Sequence, residues 1–331
     1  MEKLFLTVAC GDYDRTHALQ TGAVEAEGIR MNYIALEAEE IFWRMGHHQE
    51  FDVSEMSLSN HISATSRGNS PFLAIPIFPS RFFRHSCIFI NTNAGIKDPK
   101  DFKGKKIGVP EYSITAAVWI RGFLQDEHGV AAKDVEWWIG GQEDPGRRER
   151  LQLQLPQEIK LNSIPDDKTL NGMLESGEID ALISARAPTS FLKGSPKVRR
   201  LFPDYKDVEI DYYKRTKIFP IMHVLVIRKE ICDKNPWVAR SIYKAFNEAK
   251  DLAIRNLNFP TNTLSCTLPW LTWEREQLKE IFGPDWWPYG IEANRHVLEH
   301  LIRYMDEQGL LARRLTVEEI FAPNMVGEFK I

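Results

Sequence analysis

The feature that most constrains the fold is a regular alternation of strand-like and helix-like patterns along the first part of the chain. Short apolar runs indicate buried strands, and the segments between them show the periodicity of amphipathic helices. In chain order these segments are KLFLTVAC, RTHALQTGAVEAEGI, RMNYIAL, EAEEIFWRMG and FDVSEMSLS. We expect the second of the helices to end at Gly46. Such alternation is typical of an α/β fold, in which helices cover both faces of a mostly parallel sheet.

A second αβ unit begins near residue 95, where a turn rich in proline and lysine precedes the strand KIGVP and the helix SITAAVWIRGFLQDEHG. The helix DKTLNGMLESG and the strand IDALISA follow, after a polar segment (140–165) that we expect to be an extended loop or a hairpin. The apolar run IFPIMHVLVIRKEI then leads back, and the rest of the chain is mainly helical.

These patterns predict two αβ lobes joined by two crossings of the chain. Lobe 1 comprises residues 1–94 and 220–331, with the C-terminal helices, and lobe 2 is the inserted segment 95–219. The crossings, near 92–96 and 216–224, form a hinge, and the cleft between hinged lobes is a common site for a small molecule.

The charge balance indicates a small partner. The 42 basic and 46 acidic side chains give a formal net charge of −4, so the whole chain offers no positive footprint for nucleic acid. No apolar run approaches the roughly 18 residues that a membrane-spanning helix needs. We therefore expect neither nucleic acid nor a membrane as partner, and the sequence leaves open whether the chain forms a homo-oligomer.

The four cysteines lie far apart and form no C-x-x-C pair, which argues against structural zinc and against a disulfide framework. They suit a reducing compartment. The apolar part of MEKLFLTVAC is shorter than the roughly 7–15 residues of an export signal, and Glu2 occupies what would be its basic region. We therefore expect a cytoplasmic protein whose first strand begins near Lys3.

Polar and charged residues follow most of the predicted strands, where open parallel sheets bind their ligands. In FPSRFFRH, we expect Arg81 and Arg84 to present guanidinium groups to carboxylates, with His85 beside them for proton transfer. The alternative is that one arginine pairs with a nearby acid and the other is solvated.

Two further strand ends offer groups for an anion. Glu111, Tyr112 and Ser113 precede a predicted helix, whose first amide groups and dipole favour negative charge. Helix capping would explain Ser113 equally well. In ISARAP, Arg186 follows a strand among small residues that leave room for a ligand, and a surface ion pair is the alternative.

His223 lies in the apolar run FPIMHVLVI, where a lone histidine is more often a core residue than a catalyst. Its position at a predicted crossing nevertheless makes it a candidate for catalysis. The strand end SEMSLSNH adds Ser57, Ser59 and His61 as hydrogen-bonding groups, unless loop formation alone explains the serines.

Other patterns are interpreted as structural. His296 and His300 have the i, i+4 spacing of metal ligands, but charged residues continue the same helix face, which predicts a solvated surface. His47 and His48 are expected in a loop, and GRRER (146–150) is short and lies among acidic residues. The sequence contains neither a glycine-rich nucleotide motif nor G-x-S-x-G.

Five segments together resemble the 4,5-dihydroxyphthalate decarboxylase family: FDVSEMSLSNHI, FPSRFFRHSCIFIN, GKKIGVPEYSITAAVWIRGFLQDEHGV, LESGEIDALISARAP and WWPYGIEANRHVLEHLIRYMDEQGLL. The resemblance spans nearly the whole chain. It implies a fold like that of type 2 periplasmic binding proteins. It also implies non-oxidative removal of one carboxylate from a dihydroxylated phthalate to give protocatechuate, and it carries no assignment of catalytic residues.

The residues at the strand ends suit this chemistry. In 4,5-dihydroxyphthalate each carboxylate is para to a phenol, so phenolic electrons favour protonation of the ring carbon that bears the carboxylate. Loss of carbon dioxide then restores aromaticity. Cations must hold the two carboxylates of this aromatic dicarboxylate, and Arg81, Arg84 and Arg186 are the candidates.

Proton transfer falls to His85 or His223, of which we favour His85 as the acid. Glu111 or Asp12 is the expected partner of the phenol. No organic cofactor is required or signalled, and we assign no metal ligand. A divalent metal chelated by the catechol stays an open alternative.

A second class of function is a solute-binding protein that delivers a small aromatic or organic acid to a transporter, because one fold can serve both roles. The lack of an export-signal pattern favours the enzyme. A thiamin-pyrimidine synthase of the same fold is disfavoured because the chain has no cysteine-rich motif.

Overall fold

A computed structural model describes residues 2–258, 264 and 266–326 of the chain. Within these ranges the strands are β1 (Leu4–Cys10), β2 (Ile29–Ala35), β3 (Val53–Ser57), β4 (Phe72–Ile75), β5 (Ile88–Asn91), β6 (Lys106–Val109), β7 (Glu136–Ile139), β8 (Lys160–Ser163), β9 (Ala181–Ile183), β10 (Val198–Arg200) and β11 (His223–Arg228). The helices are α1 (Asp14–Gln20), α2 (Ala38–His48), α3 (Leu58–Ser66), α4 (Thr115–His128), α5 (Leu170–Ser176), α6 (Thr189–Leu192), α7 (Tyr205–Thr216), α8 (Lys229–Lys234), α9 (Val238–Asn258), α10 (Leu271–Phe282) and α11 (Arg295–Glu307). None of these helices combines the length and the apolar character that crossing a membrane requires.

The chain divides into two compact units, each with its own sheet. Unit 1 contains the described residues of Met1–Arg81, His223–Leu298 and Leu315–Ile331, and unit 2 contains Phe82–Met222 and Glu299–Arg314. Both sheets mix parallel and antiparallel strands and are accompanied by helices. The predicted α/β class with two αβ units is therefore confirmed.

The observed division differs from the predicted lobes in two places. β5 pairs with β9 and β10 in the sheet of unit 2, so the strand before residue 95 lies in unit 2 and not in lobe 1. The segment Glu299–Arg314 also lies in unit 2, where the Gln308 side chain accepts a hydrogen bond from Arg121 Nε at 2.8 Å. The chain consequently passes between the units at four points instead of two, because periodicity predicts an element without predicting its neighbours.

The sheet of unit 1 has the order β2-β1-β3-β11-β4. β1 pairs in parallel with β2 and β3, whereas β11 runs antiparallel to β3 with His223 opposite Ser57. The carboxyl ends of β1 and β3 therefore meet the first residue of β11 at one edge of the sheet, which we call the unit 1 edge. Val8, Val53 and Leu225 are fully buried in the sheet behind this edge.

The sheet of unit 2 has the order β10-β5-β9-β6-β7-β8. β6 pairs in parallel with β7 and β9, and β5 runs antiparallel to β9 with Ile88 opposite Ile183. The carboxyl ends of β6, β7 and β9 and the start of β5 thus share one edge of this sheet. One apolar core of the unit is built around Phe89, Leu174 and Leu182.

Three local predictions need correction. α2 continues through Gly46 to His48, so His47 and His48 form its last turn, and Gln49 ends the helix in the left-handed conformation at φ 49°. A glycine inside a helix costs only about 1 kcal/mol relative to alanine, which packing of the apolar face can offset. The helix predicted over 15–29 ends at Gln20, and part of the segment expected to be irregular forms the edge strand β8.

Candidate active site

The unit 1 edge contains a buried carboxylate with an unusually complete set of donors. Glu55 lies in the middle of β3, and its side chain is 0% exposed. Its Oε1 accepts a hydrogen bond from the Tyr13 hydroxyl at 2.9 Å and lies 2.5 Å from Nδ1 of His223. Its Oε2 accepts from the Gly11 amide at 2.9 Å and from the Cys10 thiol at 3.3 Å. These four donors offset the large cost of burying a carboxylate.

The donors also settle the ionisation of Glu55. Burial by itself would raise the pKa of the carboxyl group, but the hydrogen bond and charge of His223 and the bonds from Gly11 and Tyr13 hold the pKa below its ordinary value. Glu55 is therefore an anion. Because a carboxylate can only accept, the proton between the two side chains is assigned to Nδ1 of His223. Nε2 is then the ring nitrogen that remains for a ligand or a proton.

His223 is positioned by more than its carboxylate partner. It is the first residue of β11, and the ring of Phe42 meets its imidazole edge-on with centroids 4.9 Å apart. The side chain is 19% exposed, so the ring is held in place while part of it still contacts solvent. A fixed imidazole with a buried anionic partner is a common arrangement for general acid–base chemistry.

The neighbouring groups are arranged as donors that keep their protons. Burial, followed by the charge of Glu55, raises the pKa of both the Tyr13 phenol and the Cys10 thiol. A side chain at Gly11 would come within 2.5 Å of the Tyr13 ring, so only glycine allows the tyrosine to lie against the strand end. The Tyr33 hydroxyl, whose pKa burial also raises, donates to the Gly11 carbonyl at 2.9 Å.

Glu55, Tyr13 and Cys10 were not among the residues predicted from the sequence. A signal for Glu55 exists, because an acidic residue in the middle of a strand predicted to be buried must find partners. The identity of those partners has no sequence signal, since they lie 42 to 168 positions away.

The predicted groups at the end of β3 have different surroundings. Ser57 and Ser59 are buried, with their hydroxyl oxygens 3.3 Å apart. His61 is 1% exposed, and its Nε2 lies 2.9 Å from the Ile320 carbonyl. Burial lowers the pKa of His61, so the ring is neutral and donates from Nε2 to that carbonyl. These surroundings are typical of a core histidine, and the predicted role of His61 in ligand binding stays a prediction.

Arg81 is engaged by its own unit. It is 5% exposed, and its guanidinium donates to the Pro288 carbonyl at 2.7 Å and to the Asn294 side chain. The group also lies 5.5 Å from the centre of the Phe78 ring. These contacts fasten the segment 288–294 to the residues after β4, and a role of Arg81 in carboxylate binding stays a prediction.

Arg84, in unit 2, has a contrasting environment. It is 8% exposed, its Nε contacts the Met222 sulfur at 3.2 Å, and its Nη1 contacts the Cys87 sulfur at 3.6 Å. Its guanidinium lies 4.6 Å from the centre of the Phe82 ring. Sulfur is a weak acceptor, and within the described ranges no carboxylate forms an ion pair with Arg84. The predicted interaction with a ligand carboxylate is consistent with this uncompensated charge and stays a prediction.

His85 is enclosed by aromatic rings. Its imidazole stacks on Phe123 with centroids 4.2 Å apart, and Phe202 and Tyr212 meet it edge-on at 5.5 and 5.2 Å. It is 3% exposed, and its Nδ1 lies 3.8 Å from Glu209 Oε1. This environment is more typical of a core histidine than of a proton donor, and a role of His85 in proton transfer stays a prediction.

The loop that precedes α4 binds a carboxylate of the chain itself. The Glu149 carboxylate accepts hydrogen bonds from the backbone amides of Tyr112 at 2.6 Å and Ser113 at 3.3 Å, and from the Ser113 hydroxyl. Burial, assisted by the charge of Glu111, raises the pKa of Glu149. Ile114 is the N-cap of α4, so the amides that bind Glu149 lie in the loop before the helix, and a ligand anion at the helix start stays a prediction.

Glu111 and the GRRER segment are linked as well. The Glu111 side chain is 0% exposed and pairs with Arg147 Nη2 at 2.7 Å and Arg150 Nε at 3.2 Å. No local pattern in GRRER predicts a role, yet three of its five residues close the loop before α4. Glu111 as partner of a phenol stays a prediction.

The remaining predicted residues are exposed. Asp12 follows β1 at the unit 1 edge. Arg186 follows β9, where its carbonyl accepts from the Gln142 side chain at 3.3 Å. No group of three or more His, Cys, Asp or Glu side chains in the described part of the chain is arranged to hold a metal ion.

Comparison with known proteins adds relatives along the whole chain. The chain is 40% identical over 331 residues to a 4,5-dihydroxyphthalate decarboxylase of Comamonas testosteroni, covering 100% of both proteins. It is 45% identical over 214 residues to a 4,5-dihydroxyphthalate decarboxylase of Pseudomonas putida, covering 65% of this chain and 83% of that protein. A family model described as NMT1/THI5 like matches residues 82–143.

Solved structures with a similar fold include two sulphonate-binding proteins. The periplasmic aliphatic sulphonate binding protein SsuA from Escherichia coli has a TM-score of 0.54 at 12% identity and covers 98% of this chain and 99% of its own. The alkanesulfonate-binding protein SsuA from Xanthomonas axonopodis pv. citri, bound to MOPS, has a TM-score of 0.52 at 11% identity, covering 97% and 99%. The predicted likeness to periplasmic binding proteins is therefore confirmed for the fold.

Proposed function

This chain belongs to the 4,5-dihydroxyphthalate decarboxylase family, and we propose that it removes one carboxylate from 4,5-dihydroxyphthalate to give protocatechuate and carbon dioxide. The full-length similarity supports the substrate class, an aromatic dicarboxylate. The observation that carries the chemical part is the hydrogen bond between buried, anionic Glu55 and Nδ1 of His223. It supplies the proton-transfer group that a decarboxylation at an aromatic carbon requires.

The reaction needs one proton at one ring carbon. The phenol para to the departing carboxylate pushes electron density to the carbon that bears it, and that carbon takes a proton. The bond between this carbon and the carboxylate then breaks, its electron pair returns to the ring, and carbon dioxide leaves. One proton is consumed for each carbon dioxide released, so no external oxidant or reductant is needed.

We assign the proton transfer to His223 rather than to His85. Nε2 of His223 is the nitrogen that Glu55 does not use, and the Glu55 anion stabilises the imidazolium that precedes each transfer. Partial exposure of the ring lets it regain a proton from solvent after each turnover. His85 is the weaker candidate because three aromatic rings surround it.

A solute-binding protein is the second candidate, and the fold of the two sulphonate-binding relatives favours it. A binding protein retains one ligand per chain, whereas an enzyme forms product in excess over its own concentration. The hydrogen-bonded pair at Glu55 and His223 supports the enzyme, because a binding site has no need of a positioned proton donor.

The test incubates 4,5-dihydroxyphthalate with purified protein at a hundredfold lower concentration and follows carbon dioxide and protocatechuate. We expect many turnovers by the wild type and a loss in His223→Asn on the order of 100- to 10,000-fold in kcat. His17→Asn, which changes an exposed histidine of α1, is the matched control. Product no greater than one equivalent of protein would refute the decarboxylase, and full activity of His223→Asn would return the role to His85.

Two further properties remain proposals. We place the protein in the cytoplasm, which cell fractionation with an antibody to the chain would test. A homo-oligomer is compatible with the sequence, and light scattering of the purified protein would measure its state.

A further inference from the structure

Arg15 lies next to the proton-transfer pair at the unit 1 edge and has no role in the function proposed above. It is the second residue of α1, and its guanidinium lies 4.1 Å from the centre of the Tyr13 ring. The hydroxyl of the same tyrosine donates to Glu55 Oε1, the oxygen that also faces His223. One tyrosine side chain therefore separates the Arg15 guanidinium from the pair of Glu55 and His223. An aromatic ligand spans about the same distance.

The guanidinium is held rigidly, and no buried acid in the described part of the chain forms an ion pair with it. The Trp287 ring lies 4.3 Å from it, and the Pro79 carbonyl accepts from both its Nε, at 2.7 Å, and its Nη2. It forms an ion pair with Asp14, which approaches Nη1 at 3.2 Å and has a side chain 61% exposed. A solvated pair of this kind is worth little, so most of the positive charge is available to a ligand.

The hydrogen bonds of Arg15 leave two of its N–H groups available as a fork for a ligand. Of the five N–H groups of a guanidinium, the Pro79 carbonyl takes one on Nε and one on Nη2, which lie on the same side. One N–H on each terminal nitrogen remains on the opposite end, and these two are spaced to bind both oxygens of a carboxylate. Asp14 contacts Nη1 alone, so it does not occupy the fork as a bidentate partner.

A second observation points to a ligand at the same place. Tyr289 is 5% exposed, and its hydroxyl has no hydrogen-bond partner among the described residues. Tyr289 comes two residues after Trp287, whose ring packs against the Arg15 guanidinium. Burial raises the pKa of the Tyr289 phenol, and the charge of Arg15 opposes that rise. A buried hydroxyl without a partner costs free energy in the empty protein, and a ligand oxygen beside Arg15 would satisfy it.

We infer that Arg15 binds one carboxylate of the aromatic dicarboxylate through its terminal fork and thereby selects dicarboxylates over monocarboxylates. The inference rests on the proposed function for the identity of the ligand. In that arrangement the rigid guanidinium fixes the aromatic ring of the ligand. The pair of Glu55 and His223 then lies one side chain away from the bound carboxylate. Arg15 is then a determinant of specificity, and the proton transfer remains with His223.

The experiment measures binding of phthalate and benzoate by titration calorimetry, since neither carries the phenols that decarboxylation requires. We expect the wild type to prefer phthalate. Arg15→Gln should weaken phthalate binding on the order of 10- to 100-fold and bring the ratio of the two affinities close to one. Arg15→Lys, which keeps the charge without the fork, should give an affinity ratio between those of the wild type and Arg15→Gln. Arg30→Gln, on β2, is the exposed control and should match the wild type.

The possible outcomes separate this inference from the proposed function. An unchanged preference in Arg15→Gln, or equal weakening of both ligands, would overturn the inference even if turnover is normal. A preference that depends on Arg15 would support it even if the wild type releases no carbon dioxide. If Arg15→Gln does not fold, the same comparison is made with Arg15→Lys. An unchanged preference of that variant for phthalate would overturn the proposed role of the fork.

Discussion

At the scale of single residues, Glu55 shows how one buried charge can organise several others. Four donors converge on its carboxylate, and each donor comes from a strand end or from the turn that follows one. The anion in turn fixes which nitrogen of His223 carries a proton and keeps the Tyr13 and Cys10 protons in place. Removing the charge should therefore disturb chemistry and stability together, in ways that differ with pH.

Glu55→Gln should lower kcat by about 100-fold or more, the scale of a lost general acid–base partner. The glutamine oxygen can still accept from Nδ1 of His223, but its amide group then faces the Gly11 amide and the Cys10 thiol, which are donors too. Either the imidazole or the strand end must move. Activity assays on Glu55→Gln and on Glu248→Gln, an exposed change in α9, make the comparison.

The same variant should alter the dependence of stability on pH. Because the folded pKa of Glu55 lies below its ordinary value of 4.5, the group stabilises the fold above that pH. This contribution is lost as the pH falls through the folded pKa. Urea unfolding between pH 6 and 3 should show a decline for the wild type that is smaller in Glu55→Gln, and parallel curves would contradict the anionic assignment.

Arg81 and Arg84 were predicted as equivalent carboxylate ligands, and their surroundings now predict opposite results. Arg81→Met removes the donor to the Asn294 side-chain oxygen and one of the two donors to the Pro288 carbonyl, which should cost about 1–3 kcal/mol of unfolding free energy. Arg84→Met removes a buried charge whose contacts among the described residues are with sulfur and an aromatic face, so stability should be equal or higher.

If Arg84 holds a ligand carboxylate, Arg84→Met should also weaken phthalate binding on the order of tenfold or more. Urea unfolding and calorimetry on the two variants separate these effects, because each is the control for the other. Destabilisation of Arg84→Met with unchanged phthalate affinity would show that the buried guanidinium is a structural group.

At the scale of elements, the sequence predicted what lies at strand ends better than it predicted which strands pair. The carboxyl ends of β1, β3 and β6 and the start of α4 carry polar groups as expected, because strand and helix periodicity locates these points. The place of β5 in the sheet of unit 2 and the pairing of β8 with β7 depend on contacts distant in sequence. The roles of Glu55 and Glu149 could not be predicted for the same reason, because their hydrogen-bond partners are distant in sequence.

The start of α4 gives a prediction at this scale. The folded pKa of Glu149 is raised, chiefly by burial, so its ionised form is disfavoured in the fold relative to the unfolded chain. Stability should therefore fall as the pH rises from the ordinary value of 4.5 towards the folded pKa. Glu149→Gln keeps an oxygen for the Tyr112 and Ser113 amides and removes the charge.

The variant should gain unfolding free energy relative to the wild type as the pH is raised from 4 to 7, measured by urea unfolding at each pH. Glu158→Gln, an exposed change in the same segment between β7 and β8, is the control and should follow the wild type. A difference between Glu149→Gln and the wild type that does not change with pH would assign the effect to hydrogen bonding alone.

At the scale of the whole molecule, the fold resembles that of binding proteins, whereas the sequence resembles that of a decarboxylase. The two sulphonate-binding proteins share the fold at 11% and 12% identity, whereas the decarboxylase of Comamonas testosteroni shares 40% of the sequence over the full chain. A fold can serve several activities, and the site decides between them. The binding capacity of the fold and the chemistry of His223 should therefore be separable in one protein.

His223→Asn should bind 4,5-dihydroxyphthalate without consuming it. A ligand that binds only the folded state stabilises it by RT ln(1 + [L]/Kd), about 2.7 kcal/mol at a hundredfold excess over Kd. In the variant, the rise in Tm should persist for hours. In the wild type it should decay as the dicarboxylate becomes protocatechuate, which has lost the second carboxylate. Repeated scans of both proteins after a fixed incubation measure this difference. A shift that persists equally in the wild type would mean that the fold binds the dicarboxylate and leaves it unchanged, as a solute-binding protein does.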